Sequence, residues 1–255
     1  MEKVKEKDGR FIIQGSEARH IAKVLRMSLG DRIILMDGDG ARFEAVIDSL
    51  GRGEVCVVIT KSLPGPSPSP VEIILCQSML RFGPMDYLVE KTSELGLNRI
   101  IPFSSERTVV RLGGDRAQKR MRRWQEIARS AAKQSGGVKP AEISSTVSFH
   151  DLMDTQRQED GLKVILWEEE AVTDLKHLLR SPQPAETFLG VIGPEGGFSQ
   201  KEIGIAREVG FVTASLGNRT LRAETAAITL VAIVQYEWGD LGVYPNIAKN
   251  LAQKC

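Results

Sequence analysis

Two glycine-bearing stretches near the carboxyl end carry the residue types best suited to chemistry. The first, Gly193-Pro194-Glu195-Gly196-Gly197-Phe198-Ser199, follows an apolar run ending at Ile192. Ser199-Gln200-Lys201-Glu202 matches a capping box, so the stretch feeds a helix N-terminus. Glycines let a backbone approach a ligand closely and expose its N–H groups. The order G-x-G-x-x-G of a dinucleotide fingerprint is absent, and no Gly-Lys-Ser/Thr follows as in a phosphate-cradling loop. Glu195 would repel a phosphate. A sugar, a base or a sulfonium suits this loop better, and a tight turn that binds nothing accounts for the local pattern equally well.

The second stretch is Leu216-Gly217-Asn218-Arg219-Thr220-Leu221-Arg222-Ala223-Glu224-Thr225, again between an apolar run and a helix. Glu224 and Thr225 fall in the first turn, where acceptors meet free N–H groups. Taken singly, Glu224 reads as a cap and Arg222 as a solvated charge. Two such loops after consecutive strands could line one pocket, because ligands of open α/β sheets sit at the carboxyl ends of strands.

The elements that must position these loops alternate. Strand-like runs at 71–76, 99–103, 162–167, 187–192 and 211–216 are separated by helical patterns at 85–95, 115–134, 173–180, 199–209 and 223–238. This rhythm predicts a mostly parallel α/β sheet. Met85, Leu88, Val89, Thr92 and Leu95 form a core stripe, with Gly96 as the stop. Upstream, Arg32–Met36, the turn Asp37-Gly38-Asp39-Gly40, Arg42–Ile47 and Glu54–Ile59 read as short strands, with one helix near 17–26. A small barrel closes so few strands without bare edges. Pro64, Pro66, Pro68 and Pro70, four prolines in seven residues, mark a semi-rigid linker. The expected division is therefore 1–63, a linker at 64–70, and 71–255.

The 255 residues are 42% hydrophobic, enough for a sizeable core, and carry a net charge of +1. That balance hides an asymmetry. From Arg107 to Lys139 ten Lys/Arg face only Asp115 and Glu126, a local charge of +8, which suggests a polyanion-facing patch. Cys56, Cys76 and Cys255 form no metal or disulfide pattern, which fits a reducing compartment. The charged start, Met1-Glu2-Lys3-Val4-Lys5-Glu6-Lys7, is unlike a secretory signal. No apolar run reaches the ~18 residues of a membrane span. A soluble, cytoplasmic protein without metal is expected.

These blocks resemble the ribosomal RNA small subunit methyltransferase E family of the SPOUT class. The likeness rests on Gly193–Phe198 and on Leu216-Gly217 with Leu221-Arg222-Ala223-Glu224-Thr225-Ala226. It continues in His20 with Val24-Leu25-Arg26, and in Glu90-Lys91-Thr92-Ser93-Glu94-Leu95-Gly96 followed by Pro102 and Ser105-Glu106-Arg107. Arg123-Trp124 and Ala131-Ala132-Lys133-Gln134-Ser135 before Pro140 complete it. The family often has Arg soon after the Gln-Ser pair, whereas Gly136-Gly137 stands here.

The resemblance implies a PUA-like β-barrel that binds RNA, then a SPOUT domain whose C-terminal part forms a trefoil knot, and a homodimer. It implies S-adenosyl-L-methionine as methyl donor and N3 of one uridine in the decoding region of 16S ribosomal RNA as acceptor, with the 30S subunit as partner. Implied donor contacts are Leu166, Ile192, Gly193, Pro194, Glu195, Gly196, Gly197, Leu216, Gly217, Leu221, Arg222, Ala223 and Thr225. Uridine N3 carries a proton, so the reaction needs a base or a fixed cation beside the developing anion. Arg222 is the candidate cation, and Glu224 or Glu195 the candidate base. RNA contacts are expected from Arg107, Arg111, Arg116, Arg120, Arg123 and Lys133 on or near the basic helix, and from Arg10, His20 and Arg26 in front. The resemblance adds Lys91 to that set. A SPOUT enzyme acting on a ribose 2′-hydroxyl or on tRNA, and a non-catalytic assembly factor, are the competing readings.

Overall fold

The computed structural model describes residues 5–7, 10–36, 41–64, 68–110, 113–137, 139–170, 173–180 and 185–242. The turn expected at 37–40, Gly65, Pro66 and Ser67 of the linker, Arg111 and Cys255 lie outside them. The chain divides into two compact units, Met1–Ser67 and Pro68–Cys255. Among the described residues no helix is long and apolar enough to cross a membrane.

The first unit holds β1 (Lys5–Lys7), β2 (Arg10–Gln14), α1 (Gly15–Arg19), β3 (Arg32–Met36), β4 (Arg42–Leu50) and β5 (Glu54–Leu63). They form one antiparallel ladder in the order β1-β2-β5-β4-β3. Register shifts at Glu44/Ala45 and Ile47/Ser49 put irregularities into β4, and such bulges bend a strand. Ala45 and Ile47 on β4, and Val55 and Val57 on β5, alternate into a small core with Ile13, Ala18 and Ile21. The helix expected at 17–26 starts and ends two residues earlier. It is α1 continued by a π-helical turn, His20–Val24, and Arg26 then takes a left-handed backbone, φ 51°. Nearby Val24, Leu25 and Leu29 are exposed rather than facing a core, so the 3.6-residue rhythm of a buried helix stops there.

The second unit is a layered α/β domain. Its strands are β6 (Glu72–Ser78), β7 (Arg99–Ser104), β8 (Glu142–Ile143), β9 (Val147–Ser148), β10 (Leu162–Leu166), β11 (Thr187–Ile192) and β12 (Val212–Ala214). The order is β12-β10-β11-β6-β7-β8, with β9 also on β7, and every pairing is parallel. Its helices are α2 (Phe82–Glu94), α3 (Gly114–Ser135), α4 (Phe149–Gln156), α5 (Leu175–Leu179), α6 (Gln200–Glu208) and α7 (Ala223–Glu237). Successive strand residues point to opposite faces. Ile73, Leu75, Val164 and Phe188 therefore pack with α2, α3, α5 and α7. Ile74, Cys76, Ile165, Leu189 and Val191 pack with α4 and α6. Burial raises the Cys76 thiol above its ordinary pKa and keeps it protonated and inert.

Local signals end the helices. Gly96, φ 80°, and Gly136, φ 71°, take the left-handed conformation just past α2 and α3. The glycines standing where an Arg was expected thus include the C-cap of α3. The strand expected at 211–216 is limited to β12, and Ser215 makes only an isolated bridge to Asp174. Asp174 accepts from the His177 amide at 2.7 Å, which delays the start of α5 to Leu175. The short α4, absent from the expected pattern, is capped by Ser148, whose side chain accepts from Asp151 N at 3.1 Å.

α7 presses closely on the sheet. A Cβ placed on Gly190 of β11 would lie 2.6 Å from Leu230 Cδ2. Gln235 on the same helix donates to the Gly96 carbonyl at 3.1 Å. Gly190→Val is therefore expected to overpack the β11–α7 contact and to cost about 1–3 kcal/mol. Urea unfolding of the variant beside the parent measures it; equal midpoints would show that α7 has slack.

Candidate active site at the carboxyl edge of the parallel sheet

Because the pairings are parallel, every strand delivers its following loop to one edge. The register sets Leu166 beside Ala214, and Ile192 beside Gln77, which itself pairs with Pro102. β10 lies between β11 and β12. The loop at 193–199 and the loop at 215–222 thus leave the same edge, two strand spacings or roughly 10 Å apart. The loop at 105–110, after β7, leaves it too.

The first loop is fixed from three sides. Gly197, φ 68°, closes a turn by donating to the Pro194 carbonyl at 3.0 Å. Gln77, fully buried at the end of β6, donates its amide to the Gly193 carbonyl at 3.4 Å. The Phe198 ring packs tightly over Gly193, its nearest atom 3.1 Å from where a Cβ would sit, and stacks 6.4 Å from Phe103. Ile192, Gly193 and Pro194 are buried, Gly197 is half-buried, and Glu195 and Gly196 are exposed. The peptide groups left at the surface are those of 195–196.

Glu202 connects this loop to its neighbour. One carboxylate oxygen accepts from Ser199 N at 2.9 Å and Ser199 Oγ at 3.3 Å, completing the expected capping box. The other accepts from Glu106 N at 2.9 Å. Ser78, Ser105 and Thr108 hold the same 105–108 turn through mutual hydroxyl contacts of 2.9–3.2 Å. The turn presents Arg107, which donates to the Gly196 carbonyl at 2.9 Å. Glu168 approaches from β10, its Oε1 2.7 Å from where a Gly197 Cβ would be.

In the second loop Gly217, φ 105°, turns the chain while Ser215 Oγ accepts from its N–H at 3.1 Å. Arg222 is the N-cap of α7 by backbone alone; its carbonyl accepts from Ala226 N at 2.8 Å, and no side chain caps the helix. Glu224 is therefore not capping this helix as its position suggested. Arg222 and Thr225 are exposed, and Glu224, Leu221, Ala223, Leu216 and Leu166 are half-buried. Ser215, Leu216 and Gly217 line a cavity of about 690 Å³ with Ile228, Thr229, Ala232, Ile233 and Tyr236 of α7, a cavity that takes no residue of 193–199.

The expected RNA contacts scatter. Arg107 sits on the first glycine loop rather than with the basic helix. Arg116, Arg120, Arg123 and Lys133 lie on α3. Arg120 stacks on Phe82 with its guanidinium carbon 3.5 Å from the ring centre, and Arg123 pairs with Asp86 at 2.8 Å. Lys91 is held between Glu90 at 2.7 Å and Glu94 at 2.9 Å, and these hydrogen bonds raise its pKa. In the first unit, Arg10 pairs with Asp48 at 3.2 Å, and His20 and Arg26 are exposed. Sequence reasoning missed Gln77, Glu168 and the Glu202–Glu106 link. Gln77 alone left a signal, as an amide inside an otherwise apolar strand. Among the described residues no cluster of His, Cys, Asp and Glu could hold a metal ion.

Residues 67–235 match the RNA methyltransferase domain, and residues 13–60 the RNA methyltransferase PUA domain. The fold and its edge loops thus define an RNA methyltransferase domain behind a PUA-like region. A Bacillus subtilis ribosomal RNA small subunit methyltransferase E is 30% identical over 232 residues, covering 89% of this chain and 90% of the relative. The chain belongs to the ribosomal RNA small subunit methyltransferase E family. The Neisseria gonorrhoeae member, solved bound to S-adenosyl methionine, superimposes with a TM-score of 0.81 at 30% identity, covering 93% of this chain and 97% of that one. A Legionella pneumophila protein solved with the cofactor SAM gives 0.80 at 32%, covering 92% and 96%.

Removing the Glu202 carboxylate leaves the Ser199 and Glu106 amides without their acceptor. Glu202→Ala should cost about 1–2 kcal/mol and should speed hydrogen exchange at Glu106. Unchanged exchange at Glu106 would show that the 105–108 turn does not depend on this link.

Proposed function

We propose that this chain transfers a methyl group from S-adenosyl-L-methionine to N3 of one uridine in the decoding region of 16S ribosomal RNA, on the 30S subunit. The observation that carries this reading is the emergence of both glycine loops from one edge of the parallel sheet, flanking β10, in a member of this family. The division of labour follows: residues 1–63 bind RNA, 64–70 link, and 71–255 hold the donor and the chemistry. The enzyme acts in the cytoplasm.

The residues fit such a donor. The exposed peptides of Glu195 and Gly196 offer hydrogen-bond groups, and the half-buried strand ends Leu166 and Leu216 offer apolar walls for an adenine. Glu195 and Glu168 bring negative charge that suits a sulfonium. Gly193, Pro194, Gly197, Gly217, Leu221, Ala223 and Thr225 complete the two loops, and Ile192 lies beneath the first. When bound, the donor supplies a methyl carbon on a positively charged sulfur. The chain must remove the N3 proton and stabilise the anion that spreads to O2 and O4 of the ring. Glu224 or Glu195 accepts that proton. Arg222, exposed at the start of α7, balances the charge. The N3 electron pair then bonds to the methyl carbon, and the carbon–sulfur pair leaves with the sulfur.

A homodimer accompanies this reading. α7 is apolar nearly all round, yet Ile228, Thr229, Ala232 and Ile233 are only half-buried and Tyr236 is exposed. A helix apolar on every side belongs between two surfaces. The trefoil knot is likewise part of the proposal: α7 starts beyond the edge strand β12 yet packs on Gly190 of β11, a return path that such threading requires.

Incubation with 30S particles and labelled donor, followed by nucleoside mass spectrometry and mapping, tests the reaction. 3-Methyluridine at one 16S position is expected; a ribose-methylated nucleoside, or no transfer, overturns it. Gly196→Glu tests the donor loop. A Cβ there meets Arg107 no closer than 3.4 Å and the backbone is not left-handed, so the fold should tolerate the change. Calorimetric titration should show donor affinity falling at least tenfold. Arg222→Ala should lower the methylation rate about 10²-fold while donor affinity stays within a few-fold.

A further inference from the structure

α2 begins directly beyond the carboxyl end of β6, so its first residue, Phe82, stands at the same sheet edge as the glycine loops. This ring is 45% exposed, although an aromatic of that size ordinarily seeks a core. The Arg120 guanidinium sits over it, its central carbon 3.5 Å from the ring centre. Beneath this pair the two helices are bolted together by Asp86. Its carboxylate oxygens accept from Arg123 Nε at 2.8 Å and from the buried Trp124 Nε1 at 2.9 Å. The α2–α3 contact beside Phe82 is therefore held by Asp86 and the buried Trp124 as well as by the stack itself. Arg116, one turn before Arg120, is exposed, and the surrounding segment carries the +8 charge.

We propose that the Phe82–Arg120 stack is a landing site for an unpaired RNA base, with Arg116 and Arg123 holding the phosphates on either side. This deepens, and rests on, the reading of the chain as an RNA methyltransferase. Three features point to one occupant. The charge selects a polyanion. The stacked ring and guanidinium offer a flat π-surface, which base faces match and phosphates do not. Bases in a duplex are covered by their neighbours, so only a looped or single-stranded segment can use such a surface. Arg123 has its Nε committed to Asp86, which orients the rest of its guanidinium without neutralising the whole segment. The site lies on the sheet edge from which the glycine loops emerge, so a strand threading the reacting uridine into those loops could rest a neighbouring base here.

The test compares binding of a fluorescent single-stranded RNA of about a dozen nucleotides with a duplex of the same sequence, over a series of salt concentrations. Phe82→Leu keeps an apolar residue but removes the ring. It should weaken single-strand binding about tenfold, leave duplex binding unchanged, and leave the salt dependence unchanged. Phe82→Tyr should restore single-strand binding. Arg116→Ala should weaken both ligands and reduce the salt slope by about one unit. Equal binding by Phe82→Leu and the parent, equal losses for strand and duplex, or failure of Phe82→Tyr to rescue would overturn the stack. Donor affinity and methylation by the parent are measured in the same preparations. Failure there strikes the methyltransferase reading and leaves the stacking result standing on its own.

Discussion

The parallel register of the second unit is the constraint on which the rest depends. A parallel strand always delivers its successor loop to the same edge, whatever side chains follow. Once β10 pairs with β11 on one side and β12 on the other, the loops at 193–199 and 215–222 must emerge together. Alternation then assigns Ile73, Leu75 and Phe188 to one helical layer and Ile74, Cys76 and Leu189 to the other. A slip of one residue in β11 would exchange both layers and withdraw Ile192 from the edge. The apolar strands therefore fix the site's geometry, and the glycines only make that geometry usable.

Hydrogen bonds turn a shared edge into a shared structure. The buried Glu202 carboxylate is stable because donors from two loops surround it. Those donors are in turn held in place by a charge that cannot move to water. The hydroxyls of Ser78, Ser105 and Thr108 do the same work without charge at the end of β6 and β7. Arg107 is the visible product of this scaffold: its guanidinium reaches the Gly196 carbonyl because the turn beneath it is pinned.

Legibility in the sequence followed the range of the forces involved. Short-range signals read correctly: the stripe of α2 with its Gly96 stop, the long α3, and the Ser199–Glu202 capping box. Period-2 and apolar runs gave β6, β7, β10 and β11 to within a residue or two. Local rules failed where a cap or a neighbour decides. α4 escaped because Ser148 and Asp151 form a cap before a short, weakly periodic segment. β2 escaped because Arg10–Gln14 is too short and too charged at its borders to stand out, and becomes a strand only by pairing with β5. At the site, both loops were readable because glycines and caps are local. Gln77, Glu168 and the Glu106 amide were not, since their meaning lies in partners between about 30 and 120 residues away, as for Gln77 with Gly193 and Glu106 with Glu202.

The distribution of charge supplies a last argument about how one edge can serve two opposite ligands. The chain is nearly neutral, but the segment from Arg107 to Lys139 carries +8, while Glu168, Glu169 and Glu170 follow β10 and Glu195 lies in the first glycine loop. Two of these carboxylates are fixed: Glu169 accepts from Gln200 at 2.6 Å and Glu170 from Thr213 at 2.6 Å. On the proposed function, the donor is a sulfonium and the acceptor a base carried on a polyanionic phosphodiester chain. A uniformly basic edge would draw phosphates into the donor loops and repel the donor. Under that proposal, carboxylates beside the donor loop and a basic helix alongside do the reverse: α3 draws the phosphates, and the uncharged base is the part of the RNA suited to enter between the loops. On that reading the field discriminates which part of the same RNA reaches the methyl group, before any base-specific hydrogen bond is made.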